Sequence, residues 1–416
     1  MGNRRYRPPN TGDHRRRFLT RRAAAGEAKA YRLLETALKP NPAKLGTIPK
    51  VTTPGTPPYY QYDAAAIGGS LLSLEDYPDL QPPTNLYQST MEPDAWLPPR
   101  VRVLRPDQST SPIHRAVWSF WSVPYRNQSG RRWANDFCHA LSWILSFRLA
   151  SQHFATTALV TDTWGYELLV ERLGLPFDEV TVSLDKIAEQ HPAWWALGKL
   201  YAYREQKEPF LHIDNDVFLW PGFPADGLSG DVVAQNPEHA PVSDMTYYKP
   251  AAVAAALRST GGFLPSELRD YIDGSGDVAL CTGVVGGVAV PLIRHYADLG
   301  IRLVESAENR AAWQRLGPLE DFNLIVEQYL LGAMCWGATE VDVQCVFESQ
   351  QDTFSEECAR GQRYTHLISS AKSNPQYMRW LTERVRRDFP DDYETASRRT
   401  ISSPSISPVG WNPSPR

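Results

Sequence analysis

Residues 209–220 have the sequence PFLHIDNDVFLW, an apolar run that carries two aspartates with one residue between them. Side chains two residues apart in an extended segment point the same way, so Asp214 and Asp216 can present their carboxylates to one point where the strand ends. Mg²⁺ and Mn²⁺ prefer oxygen ligands and usually complete their coordination shells with water and substrate phosphates. The stretch therefore predicts a buried strand that ends in a site for a divalent cation and a diphosphate.

Other kinds of site also use two aspartates in this spacing. A calcium-binding EF-hand loop would need an oxygen ligand at position 218 and glycine at 219, so Phe218 and Leu219 exclude it. A haloacid-dehalogenase-type phosphatase uses the pair as nucleophile and acid/base, although Thr or Val is usual where this chain has Phe218. That alternative stays open, as does a pair of turn-forming aspartates after a buried strand.

Predicted strands and helices alternate on the N-terminal side of this stretch. Strands are predicted over 116–121, 158–162 and 179–182, and helices over 133–152, 164–173 and 193–205. Strands separated by helices of this length predict an α/β fold with a mixed, mainly parallel sheet and helices on both faces. Ligands of such sheets bind beyond the carboxyl ends of the strands, where Asp162 and Asp214 both fall.

The pattern is less regular downstream. Residues 231–235 and 340–346 are predicted strands, residues 251–257 and 265–272 are predicted helices, and a longer helix is predicted over 322–336. Between them lies a glycine-punctuated segment over 280–287. These elements predict that the same domain continues towards the C-terminus.

Composition divides the chain into three parts. Residues 1–112 hold 16 of the 34 prolines, which predicts an irregular extension with one helix over 23–38. Residues 113–396 form the predicted α/β domain. The Ser/Pro-rich tail, residues 397–416, is predicted to be disordered.

Charge is distributed unevenly along the chain. The first 40 residues carry eleven Lys and Arg against three Asp and Glu, whereas the remainder carries 32 against 44. The basic N-terminus could contact nucleic acid, but the acidic remainder gives no support for nucleic-acid binding.

Targeting and redox signals point to the cytoplasm. Residues 15–19 match a twin-arginine signal superficially, but charged residues follow where an apolar segment is required. The longest uncharged apolar stretch, 278–293, is broken by glycines and a proline and is too short for a membrane span. The five cysteines have no metal-ligand or disulfide spacing: they are Cys138, Cys281, Cys335, Cys345 and Cys358. Reduced thiols and a cytoplasmic location are therefore expected.

A resemblance adds to this interpretation. Residues 195–216, with a basic helix before the strand that carries Asp-x-Asp, resemble the metal-binding region of GT-A-fold glycosyltransferases. The resemblance implies a GT-A-like, Rossmann-like fold and a nucleotide-sugar donor, a UDP-sugar, whose diphosphate bridges to Mn²⁺ or Mg²⁺ on Asp214 and Asp216. Asn215 would then belong to the donor site, and Lys199 and Arg204 would contact phosphate or sugar.

A second segment, residues 364–375, resembles the His-x-x-Gly-x-x-Lys-Pro element of the glycogenin and bacterial galactosyltransferase type. The resemblance implies that His366 is the third metal ligand and that Lys372 contacts the diphosphate. The spacing from His366 to Lys372 is kept, while Ser369 and Ser373 stand where that element has glycine and proline. A neutral imidazole is a suitable third ligand, and an ammonium offsets phosphate charge.

The same families suggest roles for further residues. Their glycine-containing segments line the donor sugar, which implies that role for Gly283, Gly286 and Gly287. Their acidic-Gln-x-x-Leu element lies near the reacting centre, which makes Glu327 the first candidate for an acid/base or orienting role and Asp321 the second.

The first strand lies where these proteins receive the nucleoside. There Trp121 would stack on uracil, and Asp162 would bond to base or ribose.

The sequence thus predicts a metal-dependent glycosyltransferase that transfers a sugar from a nucleoside-diphosphate sugar to an unknown acceptor. The acceptor could be a protein, a peptide, a glycan or a small molecule, and nucleic acid is possible through the basic N-terminus. The alternatives are the phosphatase above and a non-catalytic binding protein on a degenerate transferase fold.

Overall fold

The structure is a computed structural model that describes residues 99, 101–107, 110–127, 133–337 and 341–401. The helix predicted over residues 23–38 lies outside the described residues, as does the predicted tail beyond residue 401. The predicted division of the chain at residues 112 and 396 stays a prediction.

The described residues contain one eight-stranded sheet and two two-stranded sheets. In chain order the strands are β1 (Arg102–Val103), β2 (Arg115–Phe120), β3 (Thr156–Thr161), β4 (Glu179–Val182), β5 (Phe210–Ile213), β6 (Val217–Leu219), β7 (Val232–Ala234), β8 (Pro237–His239), β9 (Val278–Leu280), β10 (Val284–Gly287), β11 (Val343–Cys345) and β12 (Tyr364–His366). The large sheet has the order β1-β11-β7-β10-β5-β2-β3-β4, while β12 pairs with β6 and β8 pairs with β9.

The large sheet is mixed and mainly parallel, as predicted. Only β10 runs against its neighbours, β5 and β7, and the other five pairings are parallel. Because β2, β3, β5, β7 and β11 therefore share a direction, their carboxyl ends meet at one edge of the sheet. The segment that leads into β10 begins at the same edge.

Helices connect these strands. They are α1 (Ser122–Arg126), α2 (Asp136–Ala150), α3 (Thr163–Tyr166), α4 (Leu197–Glu205), α5 (Pro250–Thr260), α6 (Ser266–Asp273), α7 (Val290–Glu305), α8 (Arg310–Leu316), α9 (Leu330–Gly337), α10 (Gln350–Thr353), α11 (Glu356–Gln362), α12 (Pro375–Asp388) and α13 (Pro390–Ile401). A π-helical segment, Glu167–Arg172, extends α3, and a second one, Ile325–Tyr329, leads into α9.

Two hydrophobic cores cover the two faces of the sheet, which confirms the prediction of helices on both sides. Successive residues of a strand point to opposite faces, so Val117 packs into the core beneath α4 and α7. Its neighbour Trp118 packs into the core beneath α2 and α12. Both side chains are fully buried. The sheet is thus shielded on both faces, and its carboxyl edge is left for a site.

The ends of the described chain are also ordered into elements. β1 pairs with β11 and so forms an edge strand of the large sheet. At the other end, α13 runs from Pro390 to Ile401. The predicted helix over 322–336 is a 3₁₀ turn, a π-helical segment and α9 in succession. Within the described ranges, no helix has the length and apolar character needed to cross a membrane.

Candidate functional site

The turn that carries the two aspartates is fixed by its backbone. β5 is entirely buried, and the chain turns directly after it because Val217 donates its N–H to the Asp214 carbonyl at 3.0 Å. The N–H of Asp214 donates to the carbonyl of Gly283, also at 3.0 Å. The Ser146 hydroxyl on α2 donates to the Asp214 carbonyl at 3.2 Å. Both aspartates are therefore held at the carboxyl edge of the sheet.

A distant segment brings His366 to this turn. β6 follows the aspartates and pairs antiparallel with β12, so that Val217 lies opposite His366. The N–H of Leu367 donates to the Asp216 carbonyl at 2.9 Å. One ligand atom from each of Asp214, Asp216 and His366 lies within 4.8 Å of the others. The three side chains can therefore hold a metal ion.

The ring of His366 is oriented for this role. Its Nδ1 lies 2.8 Å from Oε1 of Gln235, which also accepts from the Tyr364 hydroxyl at 2.7 Å. With the amide in this orientation, Nδ1 carries the proton. The Nε2 lone pair then faces Oδ2 of Asp216 at 3.4 Å. A cation bound by both groups would relieve the repulsion between the Nε2 lone pair and the Asp216 carboxylate. Metal-binding histidines also typically have a hydrogen-bond partner on the ring nitrogen that does not bind the metal. The donor set fits a divalent metal.

Gly283 makes room for this histidine. A Cβ atom at Gly283 would lie 2.2 Å from Oε1 of Gln235 and 2.6 Å from Nδ1 of His366. Any side chain at position 283 would therefore displace the pair that orients the imidazole.

Two lysines pair with the aspartates. Nζ of Lys372 lies 2.5 Å from Oδ2 of Asp216, and Nζ of Lys199 lies 2.9 Å from Oδ2 of Asp214. Burial acts to raise the pKa of Asp216, but the Lys372 ammonium outweighs it and holds this pKa below its usual value. Burial raises the pKa of Asp214 to about 6, against the opposing effect of Lys199.

Glu327 belongs to the same cluster. It is fully buried on the π-helical segment, a feature frequent at functional sites. Its Oε1 pairs with Lys199 and accepts from the Thr282 hydroxyl at 2.6 Å. Its Oε2 has no hydrogen-bond partner among the residues that the structure describes. Glu327 is therefore fixed in position through Oε1, while Oε2 makes no hydrogen bond to the described residues.

The charges of this cluster suit an anionic ligand once a cation is bound. With all three carboxylates ionised, Asp214, Asp216 and Glu327 exceed Lys199 and Lys372 by one negative charge. A divalent cation would reverse the balance to one positive charge. A diphosphate would then meet a net positive site with two ammonium groups beside it.

A cavity of about 610 Å³ lies over this cluster. Ten of the residues predicted for the site line it: Trp121, Lys199, Asp214, Asn215, Asp216, Gly283, Asp321, Glu327, His366 and Lys372. The sheet topology brings them together from six separate stretches of the chain. Their predicted individual roles stay predictions.

Three of these ten residues line the cavity but lie outside the cluster of charged side chains around Asp214 and Asp216. Trp121 is 5% exposed, so most of its side chain lies in the core. Asp321 pairs with Lys249 at 2.8 Å, and its side chain is 49% exposed, which places it at the rim. Asn215 donates to the Ser142 hydroxyl at 3.0 Å and thereby secures the turn.

Two predicted donor contacts, Asp162 and Arg204, lie outside the residues that line the cavity. Asp162 caps α3 by accepting from the Gly165 N–H at 2.8 Å. Its other oxygen accepts from the N–H and the hydroxyl of Ser122, both at 2.7 Å. Arg204 lies over the Tyr201 ring at 4.2 Å and pairs with Asp298.

Gly286 and Gly287 also lie outside the cavity lining, within β10. A Cβ at Gly286 would lie 2.0 Å from the Phe210 carbonyl oxygen, and one at Gly287 would lie 2.2 Å from the Asp231 carbonyl oxygen. Gly287 also has a φ of 140°, which favours glycine. Close packing of neighbouring backbones within the sheet accounts for both glycines.

Sequence reasoning missed several residues of the cavity. Gln235 and Glu238 line it beyond the carboxyl end of β7, so the strand-end signal that identified Asp214 could have found Gln235. His139 lines it from α2, where it accepts from the Trp143 indole at 3.0 Å. His139 does not follow a strand but lies within a mostly apolar helix, so its position along the chain provided no reason to place it at the site.

Comparisons with known proteins complete the description. No curated protein matches the chain. Among solved structures, mouse xyloside xylosyltransferase 1 in its apo form is similar at 9% identity and a TM-score of 0.26, over 53% of this chain and 83% of that chain. Residues 114–398 match a protein family described as a family of unknown function, DUF6734. Because this match spans more than half of the chain, the protein belongs to the DUF6734 family.

Proposed function

We propose that the protein is a metal-dependent glycosyltransferase that uses a nucleoside-diphosphate sugar, a UDP-sugar, as its donor. The observation that carries the proposal is the convergence of Asp214, Asp216 and His366 on one point, with Lys372 bonded to Asp216. Two carboxylates, an oriented imidazole and an adjacent ammonium form a site for a cation and a diphosphate together. The sequence resemblance to GT-A-fold enzymes supports the same assignment.

Asp214, Asp216 and His366 would hold Mn²⁺ or Mg²⁺. When bound, the cation supplies electrostatic stabilisation of the diphosphate as negative charge develops on the leaving nucleotide. Lys372 lies against Asp216 and would share its ammonium between that carboxylate and the phosphate oxygens. Gln235 holds the His366 ring so that Nε2 stays available to the cation.

Glu327 would act at the sugar end of the donor. Its Oε1 is committed to Lys199 and Thr282, whereas its Oε2 is left without a partner among the described residues. That oxygen is buried, so a small movement of the cavity wall would let it accept a hydrogen bond from a sugar or acceptor hydroxyl. Lys199 pairs with both Glu327 and Asp214, so it would fix the position of the reacting centre relative to the cation site.

The nucleoside would occupy the part of the cavity next to β2. The aromatic rings of Phe120, Trp121, Tyr125 and Trp133 line that part, and aromatic faces and edges suit a base. Tyr125 stacks on His139 with a centroid separation of 4.3 Å. Burial and the nearby Lys372 lower the pKa of His139 to about 3, so its ring is neutral.

The test is release of nucleotide from UDP-sugars by the purified chain. We expect Mn²⁺-dependent UDP release from at least one of UDP-glucose, UDP-galactose, UDP-xylose and UDP-N-acetylglucosamine, and we expect excess EDTA to abolish it. Full activity in EDTA would contradict the proposal. Hydrolysis of p-nitrophenyl phosphate without a sugar nucleotide would favour the phosphatase, and no response to any nucleotide or metal would favour a non-catalytic protein.

A further inference from the structure

A second polar cluster takes no part in the proposed metal centre, and two of its three residues line the same cavity. It consists of Glu238 on β8, Tyr248 before α5 and Gln328 on the π-helical segment. The Tyr248 hydroxyl bonds to Oε2 of Glu238 and lies 2.8 Å from Oε1 of Gln328. Glu238 and Gln328 are each 8% exposed, and both line the cavity.

As oriented in the structure, this cluster has too few protons to satisfy its hydrogen-bond acceptors. A phenol has one proton, yet the Tyr248 hydroxyl lies between two oxygen acceptors, a carboxylate and an amide oxygen. Either Glu238 carries a proton, or the Gln328 amide is rotated so that its NH₂ donates to Tyr248. Burial raises the pKa of Glu238, which favours the first arrangement. The second would leave Glu238 as a charged acceptor that faces the cavity.

A ligand hydroxyl fits either arrangement, because a hydroxyl both donates and accepts. If Glu238 is protonated, its proton is donated to Tyr248, so its other oxygen accepts from the ligand hydroxyl and the Gln328 NH₂ donates to it. If Glu238 is ionised, the carboxylate accepts from the ligand hydroxyl and the second N–H of Gln328 donates to it. A ligand group that only donates or only accepts would satisfy just one of these two side chains. The cluster therefore favours a neutral hydroxyl compound.

The cluster lies beside the proposed reacting centre. Gln328 follows Glu327 directly in the chain, and Cys281, which also lines the cavity, precedes Thr282, the residue that donates to Glu327. β8 pairs with β9 so that Glu238 lies opposite Ala279, two residues before Cys281. A hydroxyl held by Glu238 would thus lie next to the side of the cavity that holds Glu327.

The surroundings indicate the class of ligand. Tyr247, Leu324 and Phe354 line this part of the cavity together with the amides of Asn236 and Gln350. Aromatic rings with amide and carboxylate groups suit the apolar faces and hydroxyl edges of a sugar. The cavity volume of about 610 Å³ is within the range for small ligands, so the terminus of a saccharide fits.

We propose that Glu238, Tyr248 and Gln328 form the subsite for a carbohydrate acceptor, in which they position one acceptor hydroxyl. The proposal rests on the proposed glycosyltransferase function and names the substrate class of its second site. It makes these three side chains positioning residues for the acceptor, distinct from the residues that would bind the cation and the donor.

The test compares Glu238→Gln and Tyr248→Phe with a matched pair elsewhere in the chain. Tyr201 donates to Glu305 at 2.9 Å, and neither residue lines the cavity. Glu305→Gln and Tyr201→Phe are therefore the controls. Each full-length variant is loaded with Mn²⁺ and UDP, and its thermal shift is measured without and with a panel of mono- and disaccharides. The rate of transfer from a UDP-sugar to the responding saccharide is then measured.

We expect a saccharide-dependent shift in the unaltered protein and in both controls. Glu238→Gln and Tyr248→Phe should keep the shift caused by Mn²⁺ and UDP, lose the shift caused by saccharide, and raise the acceptor KM roughly 10- to 100-fold. A normal saccharide response in both cavity variants would overturn the subsite. No saccharide response in the unaltered protein, with the UDP response intact, would overturn the acceptor class. Absence of a metal-dependent UDP response in the unaltered protein would instead reject the proposed function.

Discussion

Two strand ends of the sheet carry aspartates in the same sequence context but in different roles. Asp162 follows β3 and Asp214 follows β5, and both strands are parallel, buried and directed towards the same edge. Asp162 is saturated by three neutral donors, the Gly165 N–H and the N–H and hydroxyl of Ser122. Asp214 instead pairs with an ammonium, and Asp216, two residues on, faces an ammonium and an imidazole.

The difference shows how a strand-end carboxylate becomes a candidate site. Neutral backbone donors fix a carboxylate permanently, because moving it would leave buried N–H groups without partners. A lysine on a flexible stem can be shared with an incoming phosphate, and an imidazole lone pair can be shared with a cation. We therefore assign Asp162 to the scaffold and Asp214 and Asp216 to function, and the following predictions test that division.

The largest effect is expected for Asp216→Asn. The amide keeps the shape of the side chain but removes the charge and weakens the proposed metal ligand, so the Mn²⁺-dependent affinity for UDP should fall by more than about 100-fold. Calorimetric titration of UDP in Mn²⁺ measures it. Asp270→Asn, which changes an aspartate paired with Arg269 away from the cavity, should bind UDP normally. Equal affinity of the two variants for UDP in Mn²⁺ would show that Asp216 is not part of the binding site.

A smaller effect is expected for Gly283→Ala. The new methyl group would lie within 2.6 Å of the imidazole nitrogen that Gln235 holds, so His366 must shift. The affinity for UDP in Mn²⁺ should fall roughly 10-fold, as for other losses of support to a metal ligand.

The matched control is Gly361→Ala in α11, where a Cβ would meet no atom within 4 Å. It should bind UDP as the unaltered protein does. If Gly283→Ala also binds normally, His366 is not a ligand in the arrangement that Gln235 imposes.

Asp162→Ala should change stability and leave binding unchanged. It removes the cap of α3 and leaves buried donors of Gly165 and Ser122 without their acceptor. The free energy of unfolding should fall by about 1–3 kcal/mol, measured by urea denaturation. The affinity for UDP in Mn²⁺ should match that of the unaltered protein. Loss of UDP binding in a folded Asp162→Ala protein would instead support the predicted contact of Asp162 with the base or ribose.

The smallest effect is expected for Arg204→Ala. Arg204 lies outside the cavity lining, against Tyr201 and Asp298, so its removal should change the affinity for UDP by less than about 2-fold. The same titration measures it. A fall of about 10-fold or more would support the contact with phosphate or sugar that its place in the sequence suggested.

The sequence was sufficient for the features that depend on local patterns. Alternating apolar segments predicted the mainly parallel sheet with helices on both faces, and the spacing of Asp214 and Asp216 predicted a shared site at a strand end. His366 could be suggested only by resemblance, since 150 residues separate it from Asp216. What brings them together is the pairing of β6 with β12, two short strands without a pattern of their own.

Other features follow from tertiary packing and leave no trace in local sequence. Gly286 and Gly287 look like glycines that line a ligand, yet neighbouring backbone in the sheet occupies the space beside each. Glu238, Tyr248 and Gln328 meet from three separate elements. Lys199 and Glu327 were identified singly, while the ion pair that joins them to Asp214 depends on how α4 and the π-helical segment pack at the sheet edge.

The central claim is that Asp214, Asp216 and His366 bind a divalent cation that in turn binds a nucleoside diphosphate. The most direct measurement is calorimetric titration of UDP into the unaltered protein in Mn²⁺ and, separately, in excess EDTA. We predict saturable binding in Mn²⁺ and no measurable binding in EDTA. Equal affinity for UDP under both conditions, or no binding under either, would contradict the account.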